Sequence, residues 1–314
     1  MAMIISASRR TDIPAFYSEW FINRLNAGYV YVKNPRNLHR SSKVTLDPDL
    51  VDCIVFCTKN ASPMTNKLDI INKMGYKYYF QYTITPYGTD IETGLPPKDQ
   101  IMDNLKIISQ KVGKHRMVWR YDPIIVNSNF SVAYHIDCFG EMCDNIGNYA
   151  YKCIFSFVDL YAKVKQNAKG IIDFEVSTAD MRRLAKEFAQ IAGKHNLKLS
   201  TCSEAIDLSE FGIEPAACID SKMIENIIGS PINARKDSNQ RKFCGCMESI
   251  DIGAYDTCPH GCIYCYANLN SKNVLRNVQS HDKNSPILIG KLNPDDIITE
   301  REARSLKSSQ LSLF

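Results

Sequence analysis

The amino-acid sequence predicts an α/β protein with a parallel (β/α) barrel or partial barrel. Six short runs rich in β-branched and aromatic residues alternate with helical patterns, which is typical of βα units around a parallel sheet. With 314 residues, 45% of them hydrophobic, the chain is long enough to bury a full core. The predicted strands are Met3–Ala7, Cys53–Cys57, Tyr78–Ile84, Met117–Tyr121, Cys153–Phe157 and Lys198–Cys202.

The segments between the predicted strands carry helix signals. Asp180–Asn196 places its apolar residues on one face, and a capping sequence precedes it. Lys98–Val112 follows two prolines and is stopped by a glycine. Ser62 and Pro63 open a third helix, and Ser221–Ile228 is a short fourth one. These helices support the βα interpretation of the chain.

The strand pattern weakens in the last third of the sequence. We divide the chain into a (β/α) barrel core, 1–210, and a cysteine-rich segment, 211–290, that completes the barrel. A C-terminal tail, 291–314, is expected to fray or to dock as a last helix. Residues 233–242 are basic and polar and are predicted to form an exposed loop.

Composition and charge exclude several classes of protein. The formal net charge of +4 permits a nucleic-acid partner without indicating one. Arg9 and Arg10 precede any apolar stretch of signal-peptide length, and no apolar run approaches a membrane span. No HExxH motif or Ser/His/Asp order supports a hydrolase. We therefore predict a cytoplasmic protein with no membrane partner.

Polar residues follow nearly every predicted strand, where the functional groups of a (β/α) barrel lie. Arg9 and Arg10 are suited to binding a carboxylate or phosphate, and Lys59 to contacting an anion or substrate. Arg120 and Asp122 either pair with each other or act in function. Asp159 and Glu204 are candidates for hydrogen bonds to ribose or for proton transfer. The polar groups are Ser8-Arg9-Arg10-Thr11-Asp12, Thr58-Lys59-Asn60, Thr83-Ile84-Thr85, Arg120-Tyr121-Asp122, Ser156-Phe157-Val158-Asp159 and Ser203-Glu204.

Three cysteines near the C-terminus have the spacing CxxxCxxC: Cys258, Cys262 and Cys265. In a reducing compartment such thiols indicate a metal rather than disulfides. A short turn can direct three sulfurs at three irons of a [4Fe-4S] cluster, and the fourth iron then has no protein ligand. The alternative is a structural zinc whose fourth ligand is His260 or another cysteine.

This spacing, with Tyr264 before the third cysteine, resembles the signature of the radical S-adenosylmethionine (radical SAM) superfamily. The longer string 257–268 is similar to the branch that contains spore photoproduct lyase. The resemblance implies that Cys258, Cys262 and Cys265 bind a [4Fe-4S] cluster whose open iron chelates S-adenosylmethionine. The reduced cluster cleaves this cosubstrate to a 5'-deoxyadenosyl radical, which abstracts hydrogen from a substrate. An electron donor such as flavodoxin or ferredoxin is implied as a partner.

Several segments after the strands also resemble this branch, in an order that implies a circular permutation. The cysteine-motif strand, at about 250–255, then comes last in sequence and inserts beside the first strand of a TIM-like barrel. The usual GGE segment is absent, and the loop Ser8–Asp12 takes its place. The resemblance implies a cosubstrate site formed by Tyr264, Ser8, Arg9, Arg10, Thr11, Asp12, Lys59, Thr83, Arg120 and Asp159.

The whole chain resembles a bacterial family labelled domain of unknown function 1848. The string SASRRTDIPAFY at one end and DIGAYDTCPHGCIYCYANLN at the other carry this resemblance. It supplies no substrate, and the substrate class stays open among nucleic acid, peptide and small molecule. Two other interpretations stay open: a zinc-stabilised binding protein, and an iron-sulfur protein for electron transfer or sensing.

Four further cysteines lie on the cluster-bearing half of the chain: Cys202, Cys218, Cys244 and Cys246. They could hold a second [4Fe-4S] cluster or a zinc, or Cys202 and Cys218 could be buried as small apolar residues. The remaining cysteines fall inside apolar patterns and are predicted to belong to the core. These core cysteines are Cys53, Cys57, Cys138, Cys143 and Cys153.

Overall fold

The computed structural model of the protein describes residues 3–308. Within them, eleven strands and nine α-helices follow one another along the chain. The strands are β1 Ile4–Ala7, β2 Tyr29–Asn34, β3 Asn37–Thr45, β4 Cys53–Thr58, β5 Tyr78–Thr83, β6 Met117–Ile124, β7 Lys152–Phe157, β8 Lys198–Cys202, β9 Glu214–Ala216, β10 Ile250–Asp251 and β11 Ile297–Glu300. The helices are α1 Ile13–Phe16, α2 Ser18–Ala27, α3 Leu68–Lys73, α4 Lys98–Val112, α5 Val132–Ile146, α6 Ala162–Asn167, α7 Thr178–Lys194, α8 Ser221–Ile228 and α9 Ser271–Gln279.

Eight strands form one parallel sheet in the order β10-β1-β4-β5-β6-β7-β8-β9. From β1 to β9 the strands follow chain order apart from β2 and β3, as repeated βα units require. β10 is the exception, because it comes late in the chain and pairs with β1, placing Ile250 opposite Ile5. The sheet is open, since no pairing joins β9 to β10 within residues 3–308.

All six predicted strands are present, and their bounds differ from the predicted ones by three residues at most. The helices Lys98–Val112 and Ser221–Ile228 have the predicted bounds. The helix expected after Ser62 begins as a 3-10 helix, Ser62–Lys67, and continues as α3. The expectation that the cysteine-motif strand inserts beside the first strand is confirmed by β10, although its ladder contains two residues only.

A small second sheet, in the order β11-β3-β2, was not predicted. β2 and β3 form an antiparallel hairpin, and the Tyr-Val-Tyr-Val alternation of β2 is the signal that could have indicated it. The expectation of a last helix in the tail is wrong for its described part. The β-branched run 297–299 instead forms β11, which pairs in parallel with β3. The last residues of the predicted tail, 309–314, lie outside the part of the chain that the structure describes.

The main sheet is covered by apolar side chains on both faces. On one face α5 and α7 pack together, and the ring of Phe139 stacks on Phe188 at 3.9 Å and on Trp119 of β6 at 5.2 Å. On the other face a smaller core joins strand residues to Met223 and Ile224 of α8. Burial of both faces explains why the strands read as continuous apolar runs in the sequence.

The five cysteines predicted to belong to the core divide into two groups. Cys53, Cys143 and Cys153 are buried, as predicted. Cys138 is only partly buried, which corrects the prediction for it, whereas Cys57 is partly buried and packs against the smaller core. Cys57 lies near the carboxyl end of β4, where the apolar covering of the sheet ends, and Cys138 lies at the edge of the buried stripe of α5.

None of the helices within residues 3–308 is both long and apolar enough to cross a membrane.

His135 of α5 gives the fold a pH dependence that can be measured. Its Nε2 donates to the carbonyl of Ile125 at 2.8 Å, and its Nδ1 accepts from the hydroxyl of Tyr121 at 2.9 Å. Burial disfavours the imidazolium and lowers the pKa of His135 from 6.5 to about 4. Between these two pKa values the unfolded chain binds the extra proton, so stability is full above pH 6.5 and decreases as the pH falls toward 4.

We expect the free energy of unfolding to fall by about 2 kcal/mol from pH 7 to pH 5 because of His135, which binds a proton more readily in the unfolded chain than in the folded one. Urea unfolding at both pH values measures this loss in the native chain and in the variant His135→Gln, whose amide does not titrate. The native chain should lose about 2 kcal/mol more than the variant. Equal losses in the two proteins would contradict the assignment.

Candidate functional site

A cavity of about 700 Å³ lies at the carboxyl edge of the main sheet. Its walls come from the residues that end or follow β1, β4, β5, β6, β7 and β8, and from residues 258–267 after β10. The carboxyl ends of parallel strands meet at one edge, and binding sites of open α/β sheets form there. We call this space the carboxyl-edge cavity.

The structure brings all the predicted cosubstrate residues to the carboxyl-edge cavity. The predicted cysteines of both metal sites also line it. Glu204 does not line it; it lies beside the cavity wall and accepts a hydrogen bond from the backbone of Phe157 at 2.9 Å. Burial raises the pKa of Glu204 to about 7. The lining residues predicted from the sequence are Ser8, Arg9, Arg10, Thr11, Asp12, Lys59, Thr83, Arg120, Asp159, Tyr264, Cys202, Cys218, Cys244, Cys246, Cys258, Cys262 and Cys265.

Residues 258–265, the cysteine loop, follow β10 without regular secondary structure. The amide of Cys265 donates to the carbonyl of Cys262 at 3.1 Å, and Asn268 Nδ2 donates to the carbonyl of Cys258 at 2.7 Å. Gly261 takes a left-handed φ of 66°, which tightens the turn between the first two cysteines. These local bonds fold three thiols of one short loop toward the same cavity.

The three thiols differ from the structural cysteines in their exposure. Cys258, Cys262 and Cys265 are partly exposed, whereas Cys53 and Cys153 are fully buried. Burial raises the pKa of the Cys262 thiol to about 12, and the thiol of Cys258 is shifted in the same direction. Cys258 and Cys262 therefore present protonated thiols to the cavity, and these thiols would lose their protons on binding a metal.

The cysteine loop is attached to residues 91–94, which follow β5. The amide of Ile263 donates to the carbonyl of Ile91 at 3.0 Å, and the amide of Gly94 donates to the carbonyl of His260 at 2.8 Å. Glu92 lies opposite Cys262 in this short antiparallel contact. The loop thus takes its position from a segment more than 150 residues earlier in the chain.

Glu92 is the charged centre of this attachment, and its side chain is fully buried. It accepts hydrogen bonds from Lys59 Nζ at 2.8 Å, from Thr85 Oγ1 at 2.8 Å, and from Lys98 and Tyr264. Burial opposes its ionisation, but the two lysine ammonium groups outweigh burial and lower the pKa of Glu92 to about 2. One carboxylate against two ammonium groups leaves a net positive charge beside the cysteine loop.

Asp12 and His260 form a second buried link to the loop. Their side chains meet at 2.7 Å between Oδ2 and Nε2. Asp12 also accepts from Thr58 Oγ1 and from the amide of Lys59, both at 2.7 Å. His260 Nε2 is therefore engaged with Asp12, while its Nδ1 is buried without a hydrogen-bond partner within residues 3–308. Asp12 thus holds His260, which lies between Cys258 and Cys262, against the residues at the carboxyl ends of β1 and β4.

Asp251, the last residue of β10, organises the loop after β1. It accepts from Ser8 Oγ at 2.6 Å and from the amide of Arg9 at 2.8 Å, and the guanidinium of Arg9 lies 3.9 Å away. Because β10 and β1 are adjacent, the carboxylate of Asp251 reaches the turn that follows β1 and fixes its conformation. The backbone of Ser8–Asp12 is thereby fixed at the cavity wall.

The remaining cavity cations are partly engaged with protein groups. Arg120 donates to Asp122 at 3.1 Å and to the sulfur of Cys218 at 2.9 Å. Arg10 lies over the ring of Tyr255 at 5.2 Å. Arg241 pairs with Asp159 at the exposed rim of the cavity. The predicted ion pair between Arg120 and Asp122 is thus present, and Arg120 contacts a thiol as well.

Within residues 3–308, no three His, Cys, Asp or Glu side chains are gathered around the position of a single ion. The predicted alternative of a mononuclear zinc bound by the cysteine loop and His260 therefore has no preformed geometry. An iron-sulfur cluster places its thiolates on different irons, so the sulfurs need to surround a larger volume. The donor set of the loop, three sulfurs facing a cavity, is compatible with such a cluster.

Sequence reasoning missed the residues that position the loop. Asp251 lies seven residues before Cys258, and Glu92 lies in the connection between β5 and α4, but neither residue was predicted to belong to the site. His260 was considered only as a metal ligand. Contacts between residues about 170 to 250 positions apart have no local sequence signal, so the fold is needed to find them.

Gly94 is the closest backbone contact between the 91–94 segment and the cysteine loop. A Cβ at this position would lie 2.6 Å from the carbonyl oxygen of Pro259 and 3.1 Å from Cα of His260. Gly94→Ala should therefore displace the loop and lower the free energy of unfolding by about 2 kcal/mol, as urea unfolding would measure. Gly140→Ala is the matched control, because a Cβ there meets nothing within 4 Å. Equal free energies of unfolding in both variants would contradict the expected displacement.

The fold and the site define an α/β protein with a cysteine-lined cavity at the carboxyl edge of an open parallel sheet. The family described as Domain of unknown function (DUF1848) matches residues 4–267, and the chain belongs to this family. The match includes the main sheet and the cysteine loop, and ends before α9 and β11. A comparison with curated proteins gives no match.

Proposed function

We propose that this protein is a radical SAM enzyme that binds a [4Fe-4S] cluster through Cys258, Cys262 and Cys265. The observation that carries the proposal is the carboxyl-edge cavity, where these three thiols meet all the residues that the sequence resemblance assigns to the cosubstrate. The thiols are reachable from the cavity, and three sulfur ligands leave one iron of a cubane cluster free. The donor set therefore fits the cluster.

We further infer that the main sheet is a partial, TIM-like barrel with a permuted strand order. The pairing of β10 with β1 supports this inference, because it places the cysteine-bearing strand immediately before β1 in space. Cys218 also contacts Gln81 of β5, Arg120 of β6 and Cys202 of β8, which a curved sheet allows. Curvature of this kind brings several strand ends to one cavity.

When bound, the cluster would supply the electron that cleaves S-adenosylmethionine to methionine and a 5'-deoxyadenosyl radical, which takes a hydrogen atom from the substrate. The protein residues would position the reactants and exclude water. Ser8–Asp12, held by Asp251, presents backbone and hydroxyl groups to the cavity. Lys59, held by Glu92, lies 5.4 Å from the ring of Tyr264. An external donor such as flavodoxin or ferredoxin would deliver the electron.

Anaerobic reconstitution tests the proposal. The full chain is incubated with iron and sulfide, reduced with dithionite and supplied with S-adenosylmethionine, and 5'-deoxyadenosine and methionine are measured by mass spectrometry. Formation of both products in equal amounts supports the proposal. Stoichiometric zinc with no iron would support a zinc-stabilised binding protein instead, and iron with no cosubstrate cleavage would support an electron-transfer or sensor protein. Either result overturns the proposed activity.

A further inference from the structure

Four cysteines outside the cysteine loop also line the carboxyl-edge cavity. Cys202 ends β8, Cys218 follows β9, and Cys244 and Cys246 lie in the segment before β10. Cys202 Sγ and Cys218 Sγ are 3.6 Å apart. Cys202, Cys244 and Cys246 are buried in one core, and the partly buried Cys218 packs against it. Three separate segments thus bring four cysteines into one cluster.

Packing alone explains this arrangement poorly. A buried free cysteine ordinarily behaves as a small apolar residue among apolar neighbours, as Cys153 does in the larger core. Thiols are weak hydrogen-bond donors and acceptors, so four of them gain little stability from contacting one another. The 3.6 Å separation of Cys202 and Cys218 is instead close to the edge of a thiolate tetrahedron, about 3.8 Å for a metal-sulfur bond of about 2.3 Å.

Buried positive charge lies beside these sulfurs. Arg120 Nη1 donates to Cys218 Sγ at 2.9 Å, while Arg120 Nε donates to Asp122 at 3.1 Å. Arg9 also lines the cavity, and its guanidinium lies 3.9 Å from Asp251. A hydrogen bond from a guanidinium to a thiolate is charge-assisted, so Arg120 favours ionised sulfur at Cys218.

The segment 229–249 provides an independent argument. It contains no helix and no strand of either sheet, although it carries two of the four cysteines and the cavity residues Gln240 and Arg241. The amide of Asp237 donates to the carbonyl of Cys246 at 2.9 Å, and the amide of Met247 donates to the carbonyl of Ile219 at 3.0 Å, which brings Cys246 to the residues that follow β9. A metal bound by Cys244 and Cys246 would fasten this segment to the ends of β8 and β9.

We propose that Cys202, Cys218, Cys244 and Cys246 bind a second metal centre, of zinc or iron, through four thiolates. Zinc and iron share this ligand chemistry. Since no three of these side chains already surround one point, binding requires a change in the side-chain torsions of Cys244 or Cys246. The proposal does not depend on the radical SAM activity, because it uses none of the residues of the cysteine loop.

Metal analysis of the full chain tests the second centre. The background variant Cys258→Ala/Cys262→Ala/Cys265→Ala removes the first site, and we expect it to retain at least about one equivalent of zinc or iron per chain. Adding Cys244→Ser and Cys246→Ser should lower that content by at least about 10-fold. Adding Cys138→Ser instead removes a thiol that does not line the cavity and should leave the content unchanged.

Alkylation of the background variant gives a second measurement that does not depend on folding of the serine variants. Iodoacetamide should modify Cys244 and Cys246 only after a chelator removes the metal, as peptide mass spectrometry would show. Absence of metal from the background variant, retention of metal after Cys244→Ser and Cys246→Ser, or alkylation that a chelator does not change would each overturn the proposal.

Discussion

Cys262→Ala is expected to abolish cleavage of S-adenosylmethionine, with a loss of at least about 100-fold. Cys262 is the middle ligand of the proposed cluster. Its backbone pairs in an antiparallel bridge with Glu92, which attaches the cysteine loop to the segment after β5. Loss of a residue that only orients a metal ligand commonly costs 10- to 100-fold, so loss of a ligand should cost at least as much. 5'-Deoxyadenosine formation and iron content, both measured after anaerobic reconstitution, report the effect.

Cys138→Ala is the matched control for this substitution. Cys138 is also a partly buried free cysteine, but it lies on α5 and does not line the carboxyl-edge cavity. We expect its iron content and cleavage rate to equal those of the native chain. Cleavage at the native rate in Cys262→Ala would exclude the ligand assignment, and an equal loss in Cys138→Ala would show that the effect arises from general destabilisation.

Glu92→Gln is expected to lower the free energy of unfolding by about 3 kcal/mol and to reduce the iron content of the protein. The substitution keeps the shape of the side chain but removes the charge between Lys59 and Lys98. The side chains of these lysines are 14% and 25% exposed, so two ammonium groups would lie largely buried without a counterion. Urea unfolding measures the stability, and metal analysis measures the effect on the loop.

Asp103→Asn is the control, because Asp103 pairs with Lys106 at 3.0 Å on the exposed surface of α4. A solvent-exposed pair contributes at most about 0.5 kcal/mol within a helix. We expect the combined variant Glu92→Gln/Lys98→Met to recover part of the lost stability, since it removes one of the unpaired charges. Equal stabilities of Glu92→Gln and Asp103→Asn would show that the buried network does not hold the cysteine loop.

The predicted strands and helices were recovered where the sequence has a sustained pattern. β1, β4, β5, β6, β7 and β8 are apolar runs bounded by polar turns, and α4 and α7 have a clear apolar stripe. β9 and β10 are three and two residues long, and a run so short has no measurable periodicity. β11 was missed because its side chains are exposed and its partner β3 lies more than 250 residues earlier.

The sequence by itself determined the chemistry that this protein has available: the cysteine spacing, the polar residues after each strand and the alternation of strands and helices. Only the tertiary structure decided that Glu92 and Asp12 hold the cysteine loop, and that eight cysteines line one cavity. The reason is physical. Residue type and spacing are local properties of the chain, whereas a buried carboxylate finds its partners through packing of segments that are far apart in sequence.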